Sequence, residues 1–320
     1  MGLTETIYVL GCGAIGFPLA AHLARAGRSV VAVRTSRNDA VRSTVTVTVH
    51  SGANRFSAPV ETVSLSELTR LEGLLVVTAK SYANPAIAQA LRDKGATGPV
   101  VLLQNGVGVE KPFLEARFFP VYRCVLYATG QATSEHEYTF RPVTASPIGV
   151  VSSDGSGLES CVEALTTQGF PFRSEANIER ETWKKAVANT VFNSVCPLLE
   201  VDNGVFARDE GVAHLARELV RECVTLTDRL GMSLSESELM EQIMLISKRS
   251  DGQLISTLQD IRAGRPTEIK FLNLGIARMA ASLQPKLDLP RVELLGKMIL
   301  EKSIQHRRKE INSAATHGSL

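Results

Sequence analysis

A short apolar strand that runs directly into a glycine-rich turn most constrains how this chain folds. Thr6–Leu10 is apolar, the turn at residues 11–16 follows at once, and an amphipathic helix is predicted as far as about Ala26. Ser29–Val33 completes a strand–helix–strand unit. In such a unit the first glycine permits the turn, the second lets backbone approach a pyrophosphate, and the third lets helix and strand pack closely. A turn without a ligand is disfavoured because all elements fall in register. We expect cofactor contacts at Gly11, Cys12, Gly13, Ala14, Ile15 and Gly16.

The residue at the end of the second strand indicates which dinucleotide is bound. A cofactor with a free 2′-hydroxyl usually meets an acidic side chain about 20 residues after the glycines. Arg34 occupies that place, with Arg37 close by, and a guanidinium suits a 2′-phosphate through paired, charge-assisted hydrogen bonds. We therefore expect NADP(H) as the cofactor. The alternative is that Arg34 is a solvated charge and that Asp39 binds the ribose.

Later apolar segments extend the predicted sheet and place polar residues at one of its edges. Leu74–Thr78 and Val100–Leu103 have the composition of buried parallel strands, and Lys80 and Asn105 follow them. Each alone would be interpreted as a surface lysine or a turn asparagine. Ligands of open α/β sheets lie beyond the carboxyl ends of the strands, so we expect both residues to contact the cofactor and Asn105 to contact substrate as well. Gly130, after another predicted strand, is a further expected cofactor contact.

The second half of the chain has a different periodicity. Residues 43–63 contain a predicted hairpin inserted in a crossover of the first domain, whereas the segments beyond residue 175 are amphipathic with a helical period. A length of 320 residues accommodates two domains. The predicted fold is α/β, with a Rossmann-type dinucleotide-binding domain at residues 1–175 and an all-helical domain at residues 176–320.

The first helix of the second domain carries a polar stripe on an apolar body. This helix is predicted at about residues 180–196, and Lys185, Asn189 and Asn193 recur on one of its faces. Burying an amide or ammonium without a partner costs about 1–3 kcal/mol, so the stripe indicates a polar ligand or water on that side. The alternative is a lysine that reaches solvent from a domain-linking helix. Lys184 points to another face and is expected to contact solvent or the other domain.

Motifs in both domains together resemble the ketopantoate reductase (2-dehydropantoate 2-reductase) family. They comprise GCGAIG, Arg34, TAKS around Lys80, QNGVG around Asn105, WKKAVANTVFN and the segment SxLQDIRAGRPTEI from Ser256 to Ile269. The last segment is the most specific, whereas the Lys-x-x-x-Asn helix recurs among other hydroxyacid dehydrogenases. The resemblance implies an active site in the cleft between the two domains. It also implies reduction of 2-dehydropantoate to (R)-pantoate with NADPH, on the route to pantothenate and coenzyme A.

The resemblance also implies roles for individual residues. Lys185 matches the catalytic lysine, and Glu268 matches an acidic residue near that lysine and the nicotinamide ribose. Reduction of a ketone by hydride leaves an alkoxide, which needs a proton donor and a positive field, and a lysine ammonium supplies both. The substrate-binding residues implied are Asn189, Asn193, Asn203 and Ser256, and we expect Asn105, at its strand end, and Gln253, at the place of a family asparagine, to contact the substrate as well.

Three departures from the family pattern leave the substrate open. Gln253 stands where the family commonly has asparagine. Lys270 occupies a position that is often acidic in the family, and Arg291 occupies one that is often asparagine. One extra methylene in a close-packed pocket is enough to change selectivity. Ketopantoate is the first candidate and another bulky 2-oxo acid the second. A non-catalytic NADP(H) sensor is the third, disfavoured because binding alone needs no proton donor.

Composition excludes several other classes of protein. A net charge of +2 argues against nucleic-acid and membrane-surface binding, and no apolar run reaches the roughly 20 residues of a membrane span. The five cysteines lack CxxC spacing and no HExxH pattern occurs, so no metal site is expected. We expect a cytoplasmic enzyme whose partner is a small 2-oxo acid, and a homodimer is one assembly that the sequence allows.

Overall fold

The computed structural model describes residues 5–36 and 41–317, with side chains as far as Arg308. Arg37 and Asp39, which the sequence suggested for the ribose end of the cofactor, lie outside the described residues. The chain divides into two units, which are described separately. The first comprises the chain up to Asn105 and Val109–Glu179, and the second comprises Gly106–Gly108 and the chain from Arg180.

The first unit is built on one sheet. Its strands in chain order are β1 (Thr6–Leu10), β2 (Val30–Arg34), β3 (Ser43–Ser51), β4 (Asn54–Ser64), β5 (Gly73–Val77), β6 (Val100–Leu102), β7 (Val121–Cys124), β8 (Ala128–Ser134), β9 (Glu137–Pro142), β10 (Ser146–Ser152) and β11 (Phe172–Ser174). They lie in the order β11-β10-β7-β6-β5-β1-β2-β4-β3-β9-β8. Every pair from β7 to β4 in that order is parallel. Because parallel strands point the same way, the carboxyl ends of β1, β2, β5 and β6 share one edge of the sheet.

Four helices accompany this sheet: α1 (Gly16–Arg25), α2 (Asn84–Asp93), α3 (Lys111–Glu115) and α4 (Leu158–Leu165). Helix α1 packs against β1, β2, β3 and β4, and all of its residues from Gly16 to Leu23 are buried. The edge strand β8 comes close to the turn that follows β1. The backbones are so near each other that a Cβ atom at Gly130 would overlap the carbonyl oxygen of Ala14. The sheet is therefore curled around α1, and a strand far from β1 in pairing order reaches the glycine turn.

The second unit is helical. Its elements are α5 (Ile178–Leu199), α6 (Val205–Arg208), α7 (Glu210–Arg229), α8 (Glu236–Arg249), α9 (Ser256–Arg262), α10 (Asn273–Ala281) and α11 (Pro290–His317). Helix α5 is buried along most of its length, and Trp183, Val187 and Val191 belong to a core shared with α7, α8 and α10. Asp209 and Ser235 cap α7 and α8 by accepting hydrogen bonds from first-turn amides, which gives both helices defined starts.

The predicted α/β class, with a dinucleotide-type first unit and a helical second one, is confirmed. Two local predictions were wrong. The hairpin of β3 and β4 is present, but β4 pairs in parallel with β2 and so belongs to the central sheet rather than to an insertion. Helix α5 continues through Pro197 to Leu199, because proline has helical φ and in the last turn removes only one backbone hydrogen bond.

Candidate active site

The glycine turn after β1 is closed on one side and open on the other. Gly11 has a φ of +122°, a value that strains any residue with a side chain, and a Cβ atom there would overlap the amide of Ala79. A Cβ atom at Gly16 would overlap the carbonyl oxygen of Gly11, so helix and strand need glycine at both places. At Gly13 a Cβ atom would meet nothing within 4 Å. The middle of the turn therefore has room for a ligand against its backbone.

The residue after β5 holds this turn in place. The hydroxyl of Thr78 donates to the carbonyl oxygen of Gly11 at 2.8 Å, and the amides of Thr78 and Ala79 both donate to the carbonyl of Leu10 at 2.9 Å. Helix α1 has no side-chain cap at Ile15. Amides in the first turn of a helix have no partner inside the helix and favour anions such as phosphate. The turn is thus a rigid cradle of backbone donors.

Cys12 adds no negative charge to the cradle. Burial raises the pKa of the Cys12 thiol to about 12, an effect that the charge of Arg34 only partly offsets. The thiol is consequently protonated at neutral pH. A neutral side chain at this position does not repel a pyrophosphate.

Arg34 ends β2 beside the turn. Its guanidinium carbon lies 6.0 Å from the centre of the Phe17 ring, within the range of a cation–π contact. Its Nε is buried and has no hydrogen-bond partner among the described residues. A buried, unpaired N–H is costly, and an anion that accepts from it removes that cost. Room at Gly13 together with this orphaned donor fits a nicotinamide dinucleotide, an anionic cofactor.

Two buried amides that the sequence interpretation missed connect the ends of β5 and β6. Gln104 Nε2 donates to the carbonyl of Ala79 at 2.7 Å and to Asn84 Oδ1 at 2.5 Å, and Asn84 Nδ2 donates to Gln104 Oε1 at 2.9 Å. Asn84 also donates to the carbonyl of Val109 at 2.8 Å. Gln104 directly precedes Asn105 in the motif, which is the only signal that marked it.

Lys80 and Asn105 each follow directly a residue that the amide pair holds in place, Ala79 and Gln104 respectively. Lys80 follows Ala79 with an extended backbone and is half-buried, and Asn105 follows Gln104 and is also half-buried. Their backbones therefore start from positions anchored at the carboxyl edge of the sheet. Their side-chain roles remain predictions.

The polar stripe lies on α5 as predicted from its spacing. Lys185 and Asn189 are half-buried, and Asn193 is only 2% exposed. The neighbouring Lys184 is occupied elsewhere, since its Nζ lies 3.2 Å from Glu181 Oε1 and 3.3 Å from Glu238 Oε1. Lys184 thus contacts α8 of its own unit, rather than only solvent or the other unit as expected.

Asn193 is held by protein partners on both of its polar atoms. Its Nδ2 donates to the carbonyl of Asn189 at 3.0 Å, and its Oδ1 accepts from the Thr257 hydroxyl at 2.7 Å. Thr257 is 2% exposed and stands next to Ser256, which is exposed at the start of α9. The pair therefore fixes the start of α9 against the stripe of α5. The predicted contact of Asn193 with substrate remains a prediction.

Asn203 and Gln253 lie in two loops that are joined to each other. The amide of Asn203 donates to the carbonyl of Gln253 at 2.9 Å. Asn203 is 7% exposed, and its Oδ1 is buried without a partner within the part of the chain that the structure describes. A buried amide oxygen of this kind is ordinarily satisfied by a donor, and the predicted contact of Asn203 with substrate remains a prediction. Glu268, half-buried, lies between α9 and α10, where its carbonyl accepts from the amide of Phe271 at 2.8 Å.

Each unit therefore gathers part of the predicted site. The first holds the glycine turn, Arg34 and Gly130, and the second holds the α5 stripe beside the loops of Asn203 and Gln253. Within the described ranges, no group of three or more His, Cys, Asp or Glu side chains is arranged to hold a metal ion. Among the helices described, none combines the length and apolar character that a bilayer crossing requires.

Comparison with known proteins decides the family. The model described as ketopantoate reductase PanE/ApbA matches residues 7–144, and the model of the C terminal part of the same family matches residues 177–303. The chain belongs to the ketopantoate reductase family. The resemblance found in the sequence is therefore confirmed, and the chain is an oxidoreductase of this family.

Named relatives agree with this assignment. The 2-dehydropantoate 2-reductase of Pyrococcus horikoshii is 26% identical over 290 residues, which cover 86% of this chain and 90% of that protein. A PanE/ApbA family ketopantoate reductase from Ralstonia eutropha JMP134 superposes with a TM-score of 0.80 at 20% identity, over 94% of this chain and 99% of the other. D-mandelate dehydrogenase, solved with NADH and anilino(oxo)acetate, reaches 0.80 at 16% identity over the same shares. The two structures show that the fold is shared.

Proposed function

We propose that the chain is an NADPH-dependent 2-dehydropantoate 2-reductase that forms (R)-pantoate. The observation that carries the proposal is the stripe of Lys185, Asn189 and Asn193 along α5, a helix that is otherwise buried in apolar core. A proton donor beside amides is what the reduction of a small polar ketone requires. The family of the chain, whose named relatives are 2-dehydropantoate 2-reductases, supports the same substrate.

The cofactor side of the proposal rests on the first unit. The backbone amides of residues 13–16 bind the pyrophosphate, and Arg34 binds the 2′-phosphate through the Nε that has no partner among the described residues. Lys80, Asn105 and Gly130 complete the contacts. NADPH, when bound, supplies the hydride that is added to the C2 carbonyl carbon of the substrate.

The chemical side of the proposal rests on the second unit. Lys185 donates a proton from Nζ to the carbonyl oxygen as negative charge develops there, and its positive charge stabilises that oxygen before the transfer. Glu268 orients Lys185 or the nicotinamide ribose. Asn189, Asn193, Asn203, Gln253 and Ser256, together with Asn105, hold the carboxylate and hydroxyl groups of the substrate.

Substitution of the two adjacent lysines tests this assignment. Purified wild type, Lys185→Ala and the matched control Lys184→Ala are assayed by NADPH absorbance with 2-dehydropantoate. Loss of a general acid costs typically 10²–10⁴-fold, so we expect kcat to fall by about that factor for Lys185→Ala. Lys184 pairs with Glu181 and Glu238, and we expect its replacement to leave kcat within about 3-fold because it removes no general acid.

Three results would contradict the proposal. If Lys185→Ala and Lys184→Ala have equal activity, Lys185 is not the proton donor. If wild type reduces another bulky 2-oxo acid in a panel at higher kcat/KM than 2-dehydropantoate, the substrate is different, and Gln253 is the departure that favours including such acids. Tight NADPH binding without turnover of any acid would instead indicate a cofactor sensor.

A further inference from the structure

Two loops of the second unit that carry predicted substrate residues are connected through their backbones. Asn203 lies between α5 and α6, and Gln253 lies between α8 and α9. The 2.9 Å hydrogen bond from the Asn203 amide to the Gln253 carbonyl joins the two loops directly. A displacement of one loop is therefore transmitted to the other.

The hydroxyl of Ser247 is the buried group that fixes this connection to a helix. Ser247 lies on α8 and is 0% exposed. Its Oγ donates to the carbonyl of Asn203 at 2.7 Å and accepts from the amide of Ala207 at 3.1 Å. One hydroxyl thus satisfies a backbone acceptor and a backbone donor at the two ends of the same short segment. Movement of that segment away from Ser247 costs the Asn203 carbonyl its donor, whereas the Ala207 amide keeps the carbonyl of Gly204 as an acceptor.

Asp202 makes a second connection between the same loops. Its carboxylate accepts from the amide of Gly204 at 2.7 Å and of Gly252 at 3.3 Å, and from Arg208 Nη2 at 2.9 Å and 3.0 Å. Arg208 also pairs with Asp251. Burial alone would raise the pKa of Asp202, but the hydrogen bonds from Gly204 and Arg208 outweigh it and lower that pKa. The carboxylate is therefore charged at neutral pH and bridges both loops.

We propose that Ser247 is a positioning residue that sets the substrate selectivity of the reductase by holding Asn203 and Gln253 as one rigid unit. Asn203 exposes almost none of its surface, yet its Oδ1 is buried with no partner in the described residues. An acceptor in that state is aimed at a ligand donor, and its direction depends on the backbone that Ser247 and Asp202 hold. The inference rests on the proposed function, because it concerns how that site discriminates substrates.

The expected size of the effect follows from geometry. Ser247→Ala leaves the Asn203 carbonyl without its donor and removes one of the two acceptors of the Ala207 amide, which also donates to the carbonyl of Gly204 at 3.1 Å, so the loop shifts or admits water. A displacement of about 1 Å in a positioning group costs up to about 100-fold in rate. We expect the effect on recognition of the acid, because the Ser247 hydroxyl bonds the backbone of Asn203 and Ala207, and neither residue is among those proposed to hold the cofactor.

The test compares Ser247→Ala with Ser250→Ala, a matched control near the end of the same helix whose hydroxyl donates only to the carbonyl of Ile246. Steady-state constants are measured for 2-dehydropantoate and for 3,3-dimethyl-2-oxobutanoate, the same acid without its hydroxyl. We expect Ser247→Ala to lower kcat/KM for 2-dehydropantoate by about 10- to 100-fold and to lower its preference over the analogue. The KM for NADPH should stay within about 2-fold, and Ser250→Ala should behave as wild type.

Two further variants keep the test decisive if Ser247→Ala folds poorly. Ser247→Cys retains a weak donor of similar size and should restore part of the preference. Asp202→Asn keeps an acceptor for the two amides, releases Arg208, and should lower the preference less than Ser247→Ala does.

The outcomes separate this inference from the proposed function. Equal loss on both acids, together with a lower melting temperature, would assign Ser247 a structural role only and overturn the inference. Wild-type selectivity in Ser247→Ala would overturn it as well, while leaving the proposed function intact. Absence of turnover of both acids by wild type would overturn the proposed function and this inference with it.

Discussion

Replacement of Arg34 by glutamine should convert the preference of the enzyme from NADPH toward NADH. The guanidinium lies beside the Phe17 ring, and its buried Nε has no hydrogen-bond partner within the described chain. We expect that atom to bond a 2′-phosphate oxygen when NADPH binds. The phosphate is absent from NADH, so the interaction contributes to the binding of one cofactor and not of the other.

The magnitude follows from the strength of a charge-assisted hydrogen bond. Such a bond contributes about 1.5–3 kcal/mol, and about 1.4 kcal/mol corresponds to a tenfold change in affinity. The Kd for NADPH should therefore rise roughly 10- to 150-fold in Arg34→Gln, whereas the Kd for NADH should change less than about 3-fold. Arg34→Lys should lie in between, because an ammonium keeps the charge but not the planar pair of donors.

The assay measures both cofactors in the same preparations. Kd values come from quenching of intrinsic fluorescence, and KM values from absorbance during reduction of 2-dehydropantoate. Arg25→Gln is the matched control, because Arg25 is the last residue of α1, at the end away from the glycine turn, and its guanidinium lies over the Phe56 ring. An unchanged ratio of NADPH to NADH affinity in Arg34→Gln would refute the assignment. An equal change of the NADPH-to-NADH affinity ratio in Arg25→Gln would show that the preference depends on the net charge of the first unit and not on a specific contact of Arg34.

Three further predictions concern stability and the shape of the turn. In Gly130→Ala the new methyl group would overlap the carbonyl of Ala14, so we expect NADPH affinity measured by fluorescence to fall by about tenfold or more. Gln104→Leu leaves buried partners unsatisfied and should lower the free energy of unfolding in urea by about 2 kcal/mol or more. Burial lowers the pKa of His22 from 6.5 to about 4, so the unfolded chain binds more protons between those pH values. Stability should fall by up to about 3 kcal/mol as the pH is lowered from 6.5 to 4, and His22→Leu should lack that part of the decrease.

The parts of the fold that follow from local pattern could be predicted from the sequence. The glycine turn is one such part, since strand, turn and helix are contiguous and each glycine has a local steric reason. Strand β8 was missed because its residues are all small or polar and five of the seven are exposed, so that it has no apolar alternation to detect. Helix α6 was missed because its four residues, Val205–Arg208, are too few to show a period.

The candidate site divides in the same way. The α5 stripe was predictable because Lys185, Asn189 and Asn193 share one helix face by spacing alone. The pair of Gln104 and Asn84 was not, since its members are distant in sequence and amides give no periodic signal. The role of Ser247 was even less predictable, because nothing near it in the sequence indicates that its hydroxyl bonds the backbone of Asn203.

The structure also indicates which of the three departures from the family pattern could affect substrate selectivity. The Arg291 guanidinium pairs with Glu222 and with Glu218, both at 3.1 Å, and its amide donates to Glu222 at 3.0 Å. These bonds attach the start of α11 to α7. Lys270 is exposed, and its carbonyl accepts from Arg278 at 2.6 Å.

Gln253 is the one departure of the three that is hydrogen-bonded to a predicted substrate residue. Its carbonyl is fixed by the Asn203 amide, so the longer side chain cannot be accommodated by moving the backbone away. If the Gln253 side chain extends toward the substrate, as proposed, its amide reaches about one methylene further than that of an asparagine would. If selectivity in this chain differs from that of its relatives, Gln253→Asn is the substitution that should shift it, whereas Arg291→Asn should change stability and leave the ratio of kcat/KM values for two acids unchanged.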